Sequence, residues 1–153
     1  MSNFKALSLP LLDETLEPFR ALTTPPPKAG WVRAIREALG MTKEQLAQRL
    51  DVSPSTVSTL ERSEARETIT LKSLQRLAQG LDCRVVYALV PNDGKTLEKL
   101  VRERAEAVAS KQMKRVSHTM RLEDQSLNER QEKRQRERIV QSLLSGSRRR
   151  LWR

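Results

Sequence analysis

MTKEQLAQRLDVSPSTVSTL, residues Met41–Leu60, predicts two short helices joined by a tight turn. Thr42 is a good N-cap, and Gln45 three places on completes a capping box. Leu46, Ala47 and Leu50 share one face at helical spacing, while Lys43, Glu44, Gln48 and Arg49 face water. Asp51 follows, a residue type that tolerates the left-handed backbone of a sharp corner. Val52 is apolar and plugs that corner. Ser53 caps the next helix, and Pro54 takes its first position, where a missing N–H is no loss. Val57 and Leu60 point inward; Ser55, Thr56, Ser58, Thr59 and Arg62 point other ways.

Two helices, a short turn and a small residue at the crossing make a helix-turn-helix layout. Ala47 is the small residue, and Val57 meets it from the second helix. The stretch Gly40–Glu64, GMTKEQLAQRLDVSPSTVSTLERSE, resembles the Xre/Cro/C1-type helix-turn-helix regulators. Leu46-Ala47, Val52-Ser53, Ser58 and Leu60-Glu61-Arg62 match that family's pattern. Lys43 stands where the family usually has a phosphate-contacting Gln. Asp51 replaces the turn Gly, Ser63 replaces a Gly after the recognition helix, and the loop Ser63–Thr70 is longer than usual. The resemblance spans Trp31–Leu81 and implies a lambda-repressor-like DNA-binding core.

A second resemblance covers more of the chain. GWVRAIREALGMT (Gly30–Thr42), ERSEARETITLKSLQRLAQGLDCRVVYALVP (Glu61–Pro91) and VSHTMRLEDQ (Val116–Gln125) are similar to the group called mobile mystery protein A. Members of that group are small Xre-type proteins usually paired with a Fic-domain protein. The resemblance implies an antitoxin-like DNA-binding regulator with a Fic-domain toxin as its partner.

The chain has 153 residues, 37% of them apolar and only 3% aromatic, so its core is small and built of Leu, Val and Ala. A net charge of +10 suits a polyanion, and nucleic acid is the commonest one. The excess is uneven: residues 1–28 are neutral, residues 29–91 carry +2 and residues 92–153 carry +8. One cysteine, Cys83, excludes an internal disulfide and a cysteine-cluster zinc site. Met1–Pro10 lacks the pattern of a signal peptide, and no apolar stretch approaches membrane-spanning length. A cytoplasmic protein without membrane contact is expected.

Three regions follow. Residues 1–28 hold an amphipathic helix, Leu7–Leu22, with Leu9, Leu12, Leu16 and Phe19 at three-to-four spacing, then the stiff linker Thr23–Lys28. The apolar stripe covers either the main core or a second subunit. Residues 29–91 hold the DNA-binding core. Its first helix turns Trp31, Ile35 and Leu39 inward and stops at Gly40; its last turns Leu71, Leu74, Leu77 and Ala78 inward and ends at Gly80. Cys83–Val90, CRVVYALV, has strand composition, and a lone strand needs a partner. Either two copies pair across a two-fold axis or the segment packs on the helices; a strand-mediated homodimer is expected, with Cys83 a small buried hydrophobe. Residues 92–153 hold a long helix capped by Thr96, a second helix over Ser126–Leu144, and the basic tail SRRRLWR.

The candidate DNA contacts fall in two places. Ser55, Thr56 and Thr59 reach base edges in the major groove, with Ser53 and Gln45 at the two helix starts. Lys43 and the adjacent backbone N–H groups meet phosphate, and Arg62 either meets phosphate or pairs with Glu61 or Glu64. Arg148, Arg149 and Arg150, with Trp152 and Arg153, either lie along phosphates or form a solubilising end. His118 has no carboxylate at helical spacing and is read as solvated or partner-facing. Thr119–Asp124, TMRLED, fits a Ser/Thr-x-x-x-Glu inhibitory pattern of Fic partners except at Asp124, and reads as an ordinary helix end. No catalytic constellation, cofactor, metal site or small-molecule substrate is expected. The expected fold is all-α, a helix-turn-helix core with one short β-strand and helical extensions at both ends. The expected function is sequence-specific binding of duplex DNA and repression of its own operon. The competing class is a protein–protein inhibitor that masks a Fic-type enzyme through its extensions.

Overall fold

The computed structural model describes residues 8–122 and 128–153, the side chains of 117–122 excepted. Among these residues seven α-helices follow one another: α1 Leu9–Arg20, α2 Trp31–Ala38, α3 Lys43–Leu50, α4 Pro54–Ala65, α5 Leu71–Gly80, α6 Leu97–Leu122 and α7 Glu129–Ser145. Short 3-10 turns lie at Asn92–Gly94 and Arg148–Trp152. The chain forms two compact units. One is the contiguous stretch Thr23–Ala88; the other joins Met1–Leu22 to Leu89–Arg153.

In the contiguous unit, α2 to α5 enclose Val32, Leu46, Ala47, Val57, Leu77 and Leu81, with Ile35, Leu50, Val52, Leu60 and Leu74 packed around them. Each large side chain buried there contributes about 1.5–3 kcal/mol. The sequence signals at the corner operate as chemistry predicts. Thr42 and Gln45 form the capping box, Asp51 takes the left-handed conformation (φ 54, ψ 51), and Ser53 accepts from the Thr56 N–H. The Val52 N–H donates to the Ala47 carbonyl at 3.0 Å and closes the turn. Gly80 permits a close approach of α5 to α3: a Cβ there would stand 2.7 Å from Leu46 Cδ1 and 2.8 Å from Leu50 Cδ2. The helix α5 ends at Gly80, as expected, and the left-handed residue that follows is Asp82 (φ 54).

Ile35 packs on the core as expected, but the buried positions of α2 lie beside the other two expected residues. Val32 and Arg36 are buried, whereas Trp31 and Leu39 are more than half exposed. Arg36 takes the inward position because Glu61 of α4 waits there to neutralise it. Leu71 also stands outside the core, nearly half exposed at the first position of α5.

No strand forms at Cys83–Val90. That segment carries no ladder among the described residues, and Val86, Tyr87 and Leu89 are exposed. Strand composition is not enough when the chain offers no second edge to take the backbone hydrogen bonds. Cys83 is exposed too, its thiol directed at the Leu81 carbonyl 3.3 Å away.

In the other unit α6 and α7 pack along each other. Ala105 and Ala109 of α6 are fully buried, and Val101, Val140, Leu143 and Leu151 complete the core, with Leu9 of α1 against it. Small residues on α6 let the helices approach closely. The carboxylate of Asp13, in α1, accepts from the N–H groups of Leu97 (2.6 Å) and Glu98 (3.0 Å). It thus caps α6 from 84 residues away, together with Thr96, which accepts from the Lys99 N–H. Arg20 in turn holds Asp13 at 3.4 Å. The start of α7 is closed by a second capping box, Asn128 with Gln131. No described helix is long and apolar enough to cross a membrane. The side chains of His118 and of the Thr119–Asp124 stretch lie outside the described residues.

Candidate nucleic-acid interface

The corner between α3 and α4 sets what the second helix shows to solvent. Val57 is fully buried against the core and Glu61 nearly so, which fixes the inner line of α4. The opposite line is Ser55, Thr56, Thr59 and Arg62, all exposed. The hydroxyls at the head of α4 form a small cluster: Ser53 Oγ lies 2.8 Å from both Ser55 Oγ and Thr56 Oγ1. Ser53 is committed to its cap, whereas Ser55 and Thr56 each retain bonding capacity for a ligand. Thr59 donates its hydroxyl to the Ser55 carbonyl at 3.0 Å, a local bond a hydroxyl rotor can exchange.

At the head of α3, Gln45 uses its side-chain oxygen on the Thr42 N–H at 2.8 Å. Its amide N–H groups remain as donors. Lys43, half buried, occupies the first helical position, close to the helix N-terminus that favours an anion.

The two partners considered for Arg62 are engaged elsewhere. Glu61 is held by Arg36 from behind, and Glu64 caps α2, accepting from the N–H groups of Trp31 (2.8 Å) and Val32 (3.0 Å). The Arg62 side chain instead leans along its own helix, Nε donating to the Ser58 carbonyl at 3.4 Å. Its charge therefore stays on the exposed line.

Residues 32–87 match the helix-turn-helix family model. Both interface helices lie inside the matched segment, with the turn between them. No curated protein and no solved structure matches the chain significantly. The match gives this segment the character of a DNA-binding regulator.

Arg148, Arg149 and Arg150 belong to the other unit and are all exposed. They sit on a 3-10 turn rather than a loose tail. Leu151 is fully buried in the α6–α7 core, its carbonyl accepts from Arg104 Nε at 2.6 Å, and the Arg104 guanidinium lies over the Trp152 ring at 5.8 Å.

The support behind the helix-turn-helix was the part the sequence reading missed. Arg36 and Glu61 are the residues concerned, and a signal for them exists. Arg36 lies four places after Val32, and Glu61 four after Val57, so both fall on apolar stripes. Two opposite charges at core-facing positions of neighbouring helices announce a buried pair.

Proposed function

We propose that this chain is a sequence-specific, duplex-DNA-binding transcriptional regulator whose recognition helix is Pro54–Ala65. The observation that carries the reading is an exposed row of small hydroxyl side chains, Ser55, Thr56 and Thr59, on a helix held rigidly from behind. Such side chains accept and donate at base edges, and the threonine methyls suit the methyl of thymine. Lys43, the N–H groups at the head of α3, the Gln45 amide and Arg62 position the helix on phosphates. Arg148, Arg149 and Arg150 add phosphate contacts from the other unit. The protein binds rather than catalyses.

Recognition by small hydroxyls is weak per contact, so a homodimer reading two half-sites about 34–36 Å apart is the assembly that fits. The segment Cys83–Val90, where Val86, Tyr87 and Leu89 are exposed, is the surface through which two copies meet. Repression of its own operon, and a Fic-domain toxin bound through a terminal extension, complete the proposal and rest on the resemblance to mobile mystery protein A.

The test is Thr56→Glu. Position 56 is three residues after the Ser53 cap, so glutamate there forms a capping box and the helix is kept. Its carboxylate faces the duplex, and a like-charge contact costs several kcal/mol, more than a hundredfold in affinity. Footprinting of the upstream region should lose protection. Protection that persists unchanged overturns the assignment of α4.

A further inference from the structure

We propose that α7 carries a second, sequence-independent nucleic-acid surface: an arginine ridge, Arg130, Arg134 and Arg138, that lies along a phosphate backbone. Residues 129–153 hold nine basic and three acidic side chains. The three ridge arginines stand four places apart, so they line one side of the helix at steps of about 6 Å. All three are exposed, and none forms an ion pair with another described residue. Glu137 beside them is already engaged, by Gln141 Nε2 at 2.9 Å and by Arg102 at 3.3 Å. Glu129 and Glu132 sit in the first turn, where the helix N-terminus favours a negative charge.

Like charges at this spacing destabilise a helix left to itself, so the arrangement does not serve the fold. Against a polyanion it becomes favourable, each guanidinium offering a planar fork to a phosphate. Arg138 and Arg150 also line a groove of about 350 Å³ whose walls are part polar and part apolar, the latter from Val108, Ile139 and Leu143. Arg150 is presented there by a turn that the buried Leu151 anchors. The apolar groups lie in that groove beside Arg138, whereas along the line from Arg130 to Arg138 the ridge offers an extended row of cations without an apolar anchor of the kind that centres a protein interface. Phosphate is the chemistry that fits. The ridge offers no pattern of base readers, so its binding is independent of sequence.

The test uses the full chain, a mixed-sequence duplex without the operator, and salt between about 50 and 200 mM. Arg130→Gln/Arg134→Gln/Arg138→Gln should lower the slope of log affinity against log salt by about 0.9 per lost contact, about 2.7 in all. Its melting temperature should stay equal or rise, because a repulsion is removed. Lys99→Gln/Lys111→Gln/Lys114→Gln removes the same charge from α6 and should lower the slope by much less. An unchanged slope in the arginine variant overturns the proposal and leaves the ridge to an acidic protein or to water. An equal fall in both variants also overturns it, since diffuse charge then accounts for the attraction. Repeating the series in a Thr56→Glu background should give the same fall, so the outcome does not depend on the recognition helix.

Discussion

Arg36 and Glu61 form a buried fork: Nε donates to Oε1 at 2.6 Å and Nη2 to Oε2 at 3.3 Å. The residues are only 5% and 4% exposed, and Arg36 Nη1 also donates to the Met41 carbonyl at 2.9 Å. The hydrogen bond to Glu61 raises the pKa of the guanidinium above its usual value. The helix α4 is therefore braced from its rear by a cation that keeps its charge throughout the working pH range.

Removing one partner should be far worse than removing both. Arg36→Met strands a buried carboxylate and should cost about 3–5 kcal/mol in urea unfolding. Arg36→Met/Glu61→Leu should recover most of that loss. A single variant as stable as the parent would show that the pair carries no structural weight.

Gly80→Ala tests the close approach of α5 to α3. The added methyl meets the fully buried Leu46 at 2.7 Å and Leu50 at 2.8 Å, so one of them must shift. Overpacking costs about 1–3 kcal/mol, against a helix-propensity gain of about 1 kcal/mol. A net loss of about 1 kcal/mol should lower the melting temperature of this unit by about 4–8 °C. A rise in calorimetry would mean that α5 simply shifts outward.

Asp13→Ala removes the remote cap of α6. It should destabilise by about 1–2 kcal/mol and speed hydrogen exchange at the Leu97 and Glu98 amides. The Lys99 amide, which donates to Thr96 at 3.1 Å, should keep its protection. Equal acceleration at all three amides would contradict a cap that acts on two of them.

Stability should be level near neutrality and decline at both extremes. Arg33 holds the Glu37 carboxyl below its usual 4.5, and Gln141 with Arg102 does the same for Glu137. A lowered carboxyl contributes stability that is present above pH 4.5 and lost as pH falls through the folded-state value. Glu103 raises Lys95 above its usual 10.5, so that contribution is present below pH 10.5 and lost as pH rises through the folded-state value. These groups are exposed, so the changes are small and should shrink in high salt. Urea midpoints measured across the pH range check both limbs.

The corner at Asp51 was legible because every signal there acts within a few residues: two caps, one left-handed position, one proline. The face of α2 was not, because Arg36 reads as a solvent residue until Glu61, 25 positions away, is brought against it. Cys83–Val90 misled for the opposite reason. Its β-branched residues state a local preference, but a strand exists only when a neighbouring edge completes its bonds. The basic end was half legible: its arginines are exposed as charge alone suggests, whereas the burial of Leu151 depends on a core assembled from α6 and α7. Nothing local to Asp13 marks it as the cap of a helix that begins at Leu97.

The nested arrangement of the two units sets an order of events during synthesis. The segment Thr23–Ala88 is complete and can fold while its flanks are still apart. Its companion must wait for residues 89–153, roughly 3–13 s at ribosomal speeds of about 5–20 residues per second. During that interval the helix-turn-helix is already assembled, while Leu9 and the Asp13 carboxylate remain without the groups they will meet.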